Sequence, residues 1–380
     1  MDRAMQLAKL GYLPLEIKAV PEGLVLNNRN ILVSVENTHP DFAWLVSFLE
    51  TYLLQTLWYG VTIATYSYDA KEVLKQYVDS TTDNFQGIDF MLHDFGERGA
   101  SSMESSGLAG AAHLISFMGT DNIPGIVTAY NYYGFDQDKM IGFSVNASEH
   151  STVCSYGKEN EVEAYRTMIK NHPTGILSMV SDSYDIYNAV DNIFGKELKE
   201  DILNRDGVFV IRPDSGDPLE VLPYILNSLG TNFGYNVNSK GFKVLNDKVR
   251  VLQGDGINLN SIGEICKTIT DLGWSIENLV FGMGGALTQS HSRDELEFAM
   301  KCSYVEINGV GRDVYKDPIT SKGSKTSKKG KQVLLLEEGV YKTVPMNDEN
   351  KNNDQLVTVF KDGTITKEYT FEEVRDNIKK

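Results

Sequence analysis

Cysteine and histidine are both scarce in this chain of 380 residues, which carries three of the first and six of the second. Cys154, Cys266 and Cys302 are odd in number, lie far apart and form no CxxC pair. Neither a disulfide framework nor a zinc site is expected, and a cytoplasmic, reducing setting fits best. Positive charge is short as well: 36 Lys and Arg face 52 Asp and Glu, a formal net charge of −16. That balance argues against binding to nucleic acid, so any anionic ligand must be held by local cations or backbone amides. No GxxxxGKS/T phosphate loop occurs and no GxGxxG follows a first strand, which disfavours direct nucleotide hydrolysis and Rossmann-type hydride transfer. The opening MDRAMQLAKLGYLPL has an early acid and no continuous apolar run, so no secretion signal is expected.

One long apolar stretch is present, FAWLVSFLETYLLQTLWYGVTIAT (42–65). Its polar residues Ser47, Glu50, Thr51 and Gln55 recur three or four apart, and Glu50 at a bilayer centre would cost several kcal/mol. A buried helix in a protein without a membrane span is expected. At this length a chain buries roughly three quarters of its unfolded surface, so a real core is also expected.

From about residue 88 a theme recurs: a short apolar run, a loop rich in Gly, Asp, Ser or Arg, then a helical pattern. The runs centre on DFML (89–92), LISF (114–117), IGFSV (141–145), ILSMV (176–180), VFVI (208–211), VRVL (249–252), LVFG (279–282) and YVEI (304–307). Apolar runs alternating with helices are the mark of parallel βα units, and eight of them point to an α/β fold with a closed (β/α) barrel; an open doubly wound sheet is the alternative. The flanks differ. NILVSVEN (30–37), QVLLLEEGVYKTV and LVTVFKDGTITKEYTF alternate as antiparallel strands do, and the DG at 362–363 is a hairpin turn. The expected organisation is a barrel over 88–310, with 1–87 and 311–380 forming a second, sheet-rich domain from both chain ends. A lysine-rich segment, SKGSKTSKKGK (321–331), lies in the last of these.

The loops after barrel strands build the active face. Here they read HDFGERG, GTD, NASEHST, SDSYD, RPDSGD, QGDG, GMGG and NGVGR. QGDG and GMGG have the form of phosphate-holding turns, although glycine is common in any βα turn. Asp182, Asp214 and Asp255 occupy matching places after three strands. Helix N-capping explains any one of them; three facing one pocket need something positive between them, such as Mg²⁺, a cationic transition state or Arg212. A phosphorylated sugar with an electron-poor anomeric carbon would satisfy carboxylates and phosphate turns together.

LHDFGERGASS, GTDNIPG, SVNASEHST, VSDSYDIYNAV, IRPDSGDPLE, VLQGDGI, WSIENLVFGMGGAL and KCSYV, in this order, resemble the nicotinamide phosphoribosyltransferase family, type II phosphoribosyltransferases related to the nicotinate enzymes. The resemblance runs from LPLEIKAVPEG (13–23) to YTFEEVRDNIK (369–379). It implies transfer of phosphoribose from phosphoribosyl pyrophosphate to nicotinamide, giving nicotinamide mononucleotide and pyrophosphate in NAD salvage. It also implies Mg²⁺, a homodimer with shared sites, and stimulation by ATP through a phosphohistidine. His150 matches the histidine that accepts phosphate, with Glu149 or a loop carboxylate to hold its other nitrogen. Asp182, Asp214 and Asp255 match the acidic wall, with Mg²⁺ near Asp182 and Asp255.

By the same resemblance Phe95 stacks on the pyridine ring, and Arg98 and Arg212 neighbour ring and phosphate. Asp214, Gly254 and Asp255 hold the ribose; Gly284, Gly285 and Arg293 hold the 5′-phosphate; Lys301 and Lys316 meet phosphates. Asp121 accepts from the carboxamide and disfavours nicotinate, whose carboxylate it would repel. Only twelve residues precede LPLEIKAVPEG, where the family ordinarily has a segment bearing a second stacking aromatic and an arginine. A separate chain supplying that segment, a natural short form and a truncation are the open explanations. A nicotinate-using transferase and a non-catalytic ligand- or partner-binding subunit are the alternatives in function.

Overall fold

The computed structural model describes residues 3–134, 136, 138–321 and 327–379, which divide into two compact units, Gly60–His291 and Met1–Tyr59 with Ser292–Lys380. Against the expected bounds, residues 60–87 belong with the first unit and 292–310 with the second.

The first unit is built on seven short parallel strands: β1 (Leu92–Asp94), β2 (Gly119–Thr120), β3 (Asn146–Ala147), β4 (Leu177–Val180), β5 (Phe209–Arg212), β6 (Val249–Gln253) and β7 (Leu279–Met283). Their order in the sheet is β2-β1-β7-β6-β5-β4-β3. A parallel bridge between Gly119 and Phe143, just ahead of β3, links the chain at one edge to the strand at the other, so the sheet curls towards a barrel. β4 and β7 are buried almost throughout, as strands covered on both faces must be.

Two expected strands are not in this sheet. LISF is the end of the helix Met103–Ser116 and the residue after it; SSGLAGAAHLIS is a run of small and apolar residues buried on nearly every side, so its helical period is masked. YVEI pairs antiparallel with Val310–Asp313 in the other unit. DFML overlaps β1 only at Leu92, and IGFSV ends immediately before β3.

Parallel register aligns the strand ends. Met283 lies beside Asp94 and Asp94 beside Thr120; Val180 lies beside Arg212, and Gln253 beside Phe281. The strands therefore end level, and the loops after them emerge at one rim.

The second unit joins both chain ends through a four-stranded antiparallel sheet, in which Leu15–Ala19 lies between Val33–Asn37 and Val357–Lys361. The DG turn forms as read, with Asp362 and Gly363 both at positive φ (47° and 85°) between Val357–Lys361 and Thr364–Ile365. The helix Glu50–Thr81 departs from expectation. Its buried residues, Thr62, Ile63, Ser67, Ala70, Leu74, Val78 and Thr81, begin only at its fourth turn, so the apolar stretch from Glu50 to Val61 is not buried in this chain. Among the described residues no helix is long and apolar enough to cross a membrane. Of the lysine-rich segment, residues 322–326 lie outside the described residues.

Candidate active site

Helix capping, the plain reading of the loop aspartates, is done by other residues. The helix after β4 is capped by Asp185, which accepts from the amides of Tyr187 and Asn188. The helix after β5 is capped by Asp217 and the helix after β6 by Asn258. Each cap stands three residues beyond Asp182, Asp214 and Asp255 respectively. Asp121 is likewise relieved by Asn122, whose side chain accepts from Gly125 N–H. The first acid of each loop is thus left at the strand end, where the rim converges.

There His150 meets two of them. Its Nε2 lies 2.9 Å from Asp182 Oδ1 and its Nδ1 3.9 Å from Asp214 Oδ2. Asp182's other oxygen accepts from the Ser215 hydroxyl. Burial pushes the Asp182 carboxyl upward, but hydrogen bonds from Ser215, His150 and the Asp214 amide, with the field of His150, outweigh it and hold the group below its ordinary value. Glu149 does not hold the imidazole: it caps the short helix His150–Cys154 by accepting from the amide and hydroxyl of Ser151. Of the two holders expected, the structure uses the loop carboxylate.

Arg212 places Nη2 3.6 Å from Asp214 Oδ2, while its buried Nε has no partner, and neither does the buried hydroxyl of Ser183. Unsatisfied buried donors are costly unless a ligand meets them. Two such donors beside the carboxylates mark a place for an acceptor-rich ligand such as a phosphate.

Phe95 opens the loop after β1, anchored by its amide to Met283 O at 2.9 Å. Its ring lies over β7: a Cβ added to Gly282 would stand 2.1 Å from Phe95 Cε2, and one on Gly254 would stand 3.6 Å from it and 3.4 Å from Asp214 Oδ1. Glycine at 282 is what lets the ring occupy this place. Asp121 is exposed and accepts from the Ser144 hydroxyl at 2.5 Å. Arg98 is exposed in the same loop as Phe95.

Gly284 begins the short helix Gly285–Thr288, and a Cβ on Gly285 would meet nothing within 4 Å, leaving room for close approach. QGDG differs from the expected helix-start anion site, because Asn258 already takes the amides of Asn260 and Ser261. Asp255 is exposed. Among the described residues no three His, Cys, Asp or Glu side chains are grouped as a metal cage. Arg293, Lys301 and Lys316 belong to the other unit. There Arg293 pairs with Asp294 (2.6 Å) and the Phe298 carbonyl, Lys301 reaches Met300 O (2.9 Å), and the Lys316 amide donates to Ser327 Oγ (2.9 Å). Ser215, Ser144, Asn122 and Asp94 were missed by the sequence reading; the hydroxyls and amide lie inside the same loop motifs and had no signal beyond proximity.

Residues 90–364 match the Nicotinate phosphoribosyltransferase (NAPRTase) family. The chain is 45% identical over 374 residues to a nicotinamide phosphoribosyltransferase of Xanthomonas campestris pv. campestris (strain 8004), covering 96% of this chain and 79% of that protein. It is 35% identical over 390 residues to a nicotinamide phosphoribosyltransferase of Acinetobacter baylyi (strain ATCC 33305 / BD413 / ADP1), covering 97% and 77%. The crystal structure of human nicotinic acid phosphoribosyltransferase shares its fold, with a TM-score of 0.50 at 15% identity over 96% of this chain and 76% of that one.

Proposed function

Because the chain belongs to the nicotinate phosphoribosyltransferase family, we propose that it transfers phosphoribose from phosphoribosyl pyrophosphate to nicotinamide, forming nicotinamide mononucleotide and pyrophosphate in NAD salvage. The observation that carries this is one rim on which His150, Asp182, Asp214 and Arg212 meet, with Gly254 next to both Asp214 and the Phe95 ring. As the bond from the anomeric carbon to pyrophosphate breaks, the ribose gains oxocarbenium character, and Asp214 stabilises that charge. The pyridine nitrogen then attacks from a ring stacked on Phe95, with the carboxamide NH₂ donating to Asp121. Arg212 Nε and Ser183 Oγ donate to ligand oxygens and so lose their unsatisfied state.

Both oxygens of Asp182 already take hydrogen bonds, so Mg²⁺ would be held chiefly by substrate phosphates and water, with the exposed Asp255 as the carboxylate to hold it. When bound it neutralises the leaving pyrophosphate.

His150 is the proposed phosphate acceptor from ATP. With Nε2–H donating to Asp182, the imidazole keeps a lone pair on Nδ1, which attacks the γ-phosphorus as ADP leaves. Asp214 would repel that phosphate, and Arg212 beside it offsets the repulsion. A homodimer is the proposed assembly, since Ile123 and Val127, one turn apart on the helix Ile123–Tyr133, leave exposed apolar surface for a second copy.

The decisive assay is incubation of the chain with nicotinamide, phosphoribosyl pyrophosphate and Mg²⁺, with and without ATP. Mononucleotide should form. Its absence at high enzyme concentration refutes the transferase, and formation with nicotinate alone would point to the nicotinate-using alternative.

A further inference from the structure

At the end of β1 a carboxylate is buried without reaching solvent. Asp94 and Asn122 are both 0% exposed. One Asp94 oxygen accepts from the Gly96 amide at 2.7 Å, and the other from Asn122 Nδ2 at 2.9 Å. The Asp94 carbonyl also accepts from the Asp121 amide at 2.9 Å. Phe95 stands between Asp94 and Gly96, and Asp121 stands next to Asn122. A single residue therefore grips both the turn that carries the stacking ring and the turn that carries the carboxamide acceptor.

The far end of this link is fixed too. Asn122 Nδ2 donates to Ser106 O at 3.0 Å, and Asn122 Oδ1 accepts from Gly125 N–H at 3.0 Å and from Ser106 Oγ at 3.2 Å. It is tied to the helix Met103–Ser116 and caps the helix Ile123–Tyr133. A second tie runs alongside, from the Ile123 amide to Glu97 Oε2 at 3.3 Å. Two N–H donors converge on Asp94, so the position needs two acceptor atoms and no donor. Among side chains of this length only an ionised aspartate provides that. An apolar residue would fill the space without the desolvation cost of a buried charge but would leave both donors unmet.

We propose that Asp94 is a positioning residue for the acceptor ring: by holding Gly96 and Asn122 it sets the separation of Phe95 from Asp121, and so governs nicotinamide binding without touching nicotinamide. Nicotinamide as acceptor is the premise taken from the proposed transferase. Asp94→Asn keeps the shape but turns an NH₂ towards one of the two donors, so one of the ties breaks. Asn122→Ala removes the other partner and is made in parallel, as the substitute should Asp94→Asn fail to fold.

The test measures nicotinamide affinity by calorimetry, and steady-state kcat with KM for each substrate, on the full chain. Nicotinamide Kd and KM should rise about tenfold, a misaligned stack together with a strained carboxamide hydrogen bond, while KM for phosphoribosyl pyrophosphate moves less than about twofold. The charged group acting on Asp94 is Asp121, while the buried His93 beside it on β1, pushed down to about 4 by burial and by the neighbouring His113, stays neutral. As pH falls and Asp94 takes up a proton it loses an acceptor, so the wild-type nicotinamide KM should climb on acidification while that of Asp94→Asn stays level. Unchanged nicotinamide affinity in the variants, or equal weakening of both substrates, overturns the proposal. A wild type that binds nicotinamide without turning it over refutes the transferase alone, because the calorimetric comparison still stands; a wild type that does not bind it overturns both.

Discussion

Replacing Gly282 with alanine tests where the acceptor ring is held. The new methyl carbon would stand 2.1 Å from Phe95 Cε2 and 2.3 Å from Cδ2. Carbon atoms in contact rest about 3.5–4.0 Å apart, so the ring must retreat by roughly 1.5 Å. Overpacking of this kind costs about 1–3 kcal/mol of stability. Loss of an aligned aromatic pair costs about 0.5–1.5 kcal/mol of ring binding, which is roughly two- to tenfold in affinity. Gly282→Ala should therefore raise the nicotinamide KM by up to about tenfold and lower the thermal midpoint by several degrees, with little change in KM for phosphoribosyl pyrophosphate. Gly254→Ala makes only ordinary contacts, the nearer being Asp214 Oδ1 at 3.4 Å, so its effect should fall on the phosphoribosyl pyrophosphate KM instead. Initial-rate kinetics in both substrates, with a thermal melt, separate the two. If both variants shift the same KM, or if Gly282→Ala leaves nicotinamide binding intact, Phe95 does not meet the ring from this position.

Asp182→Asn should abolish ATP stimulation, at least about tenfold, while ATP-independent turnover persists, because a carboxamide no longer fixes the proton on His150 Nε2; equal stimulation in variant and wild type would remove His150 from the proposed phosphoryl transfer. Asp182 is held below its ordinary value, so its contribution to stability is present above the unfolded pKa and is lost as pH falls through the lower folded one. Asp121→Asn should raise the ratio of nicotinate to nicotinamide kcat/KM by at least about fivefold, since a repulsion of roughly 1 kcal/mol or more is relieved, and an unchanged ratio would deny Asp121 that role. Asp94 carries the opposite sign from Asp182. Burial raises it from 3.8 to about 6, so its favourable contribution exists below the unfolded pKa and is lost as pH rises through about 6. Two pKa units correspond to about 3 kcal/mol, roughly half of it between pH 5 and 7.5. Denaturant melts at those two pH values should show Asp94→Asn gaining about 1–2 kcal/mol on the wild type at the higher one; parallel melts would mean that burial does not raise the Asp94 carboxyl.

The barrel was legible where burial on both faces leaves an uninterrupted apolar run, as in LSMV, FVIR and LVFGM. It was misread where that rule meets a buried helix. Met103–Ser116 hides its period behind GLAGAA, so LISF passed for a strand, while the true strand beside it is only Gly119–Thr120, too short to leave a pattern. YVEI failed for a different reason, since four residues cannot show whether their partner is parallel or antiparallel, and the answer came from VGRD six residues on. The flanking sheet was easier, because a two-residue DG turn fixes register locally.

The loop carboxylates divide by a rule that the sequence carries in paired polar residues at a fixed interval. SDSYD, RPDSGD and GDGIN each place an acid at the strand end and an Asp or Asn three residues later, and in every case the later one caps the helix. A lone aspartate in such a loop is ambiguous, since capping and catalysis both want it at a strand-to-helix turn. A pair at this interval resolves the ambiguity: one residue meets the helix amides, which frees the other for the rim. Asp182 and Asp214 follow that division, one on each side of His150. Asp94 escapes it, because its loop begins with a tight turn, and its donors are Gly96 two residues on and Asn122 twenty-eight residues away. Only the parallel pairing of β1 with β2 brings that second donor within reach. Local spacing thus separates the carboxylates left at the rim from those that cap helices, whereas the buried carboxylate that ties two turns together can be found only from strand pairing.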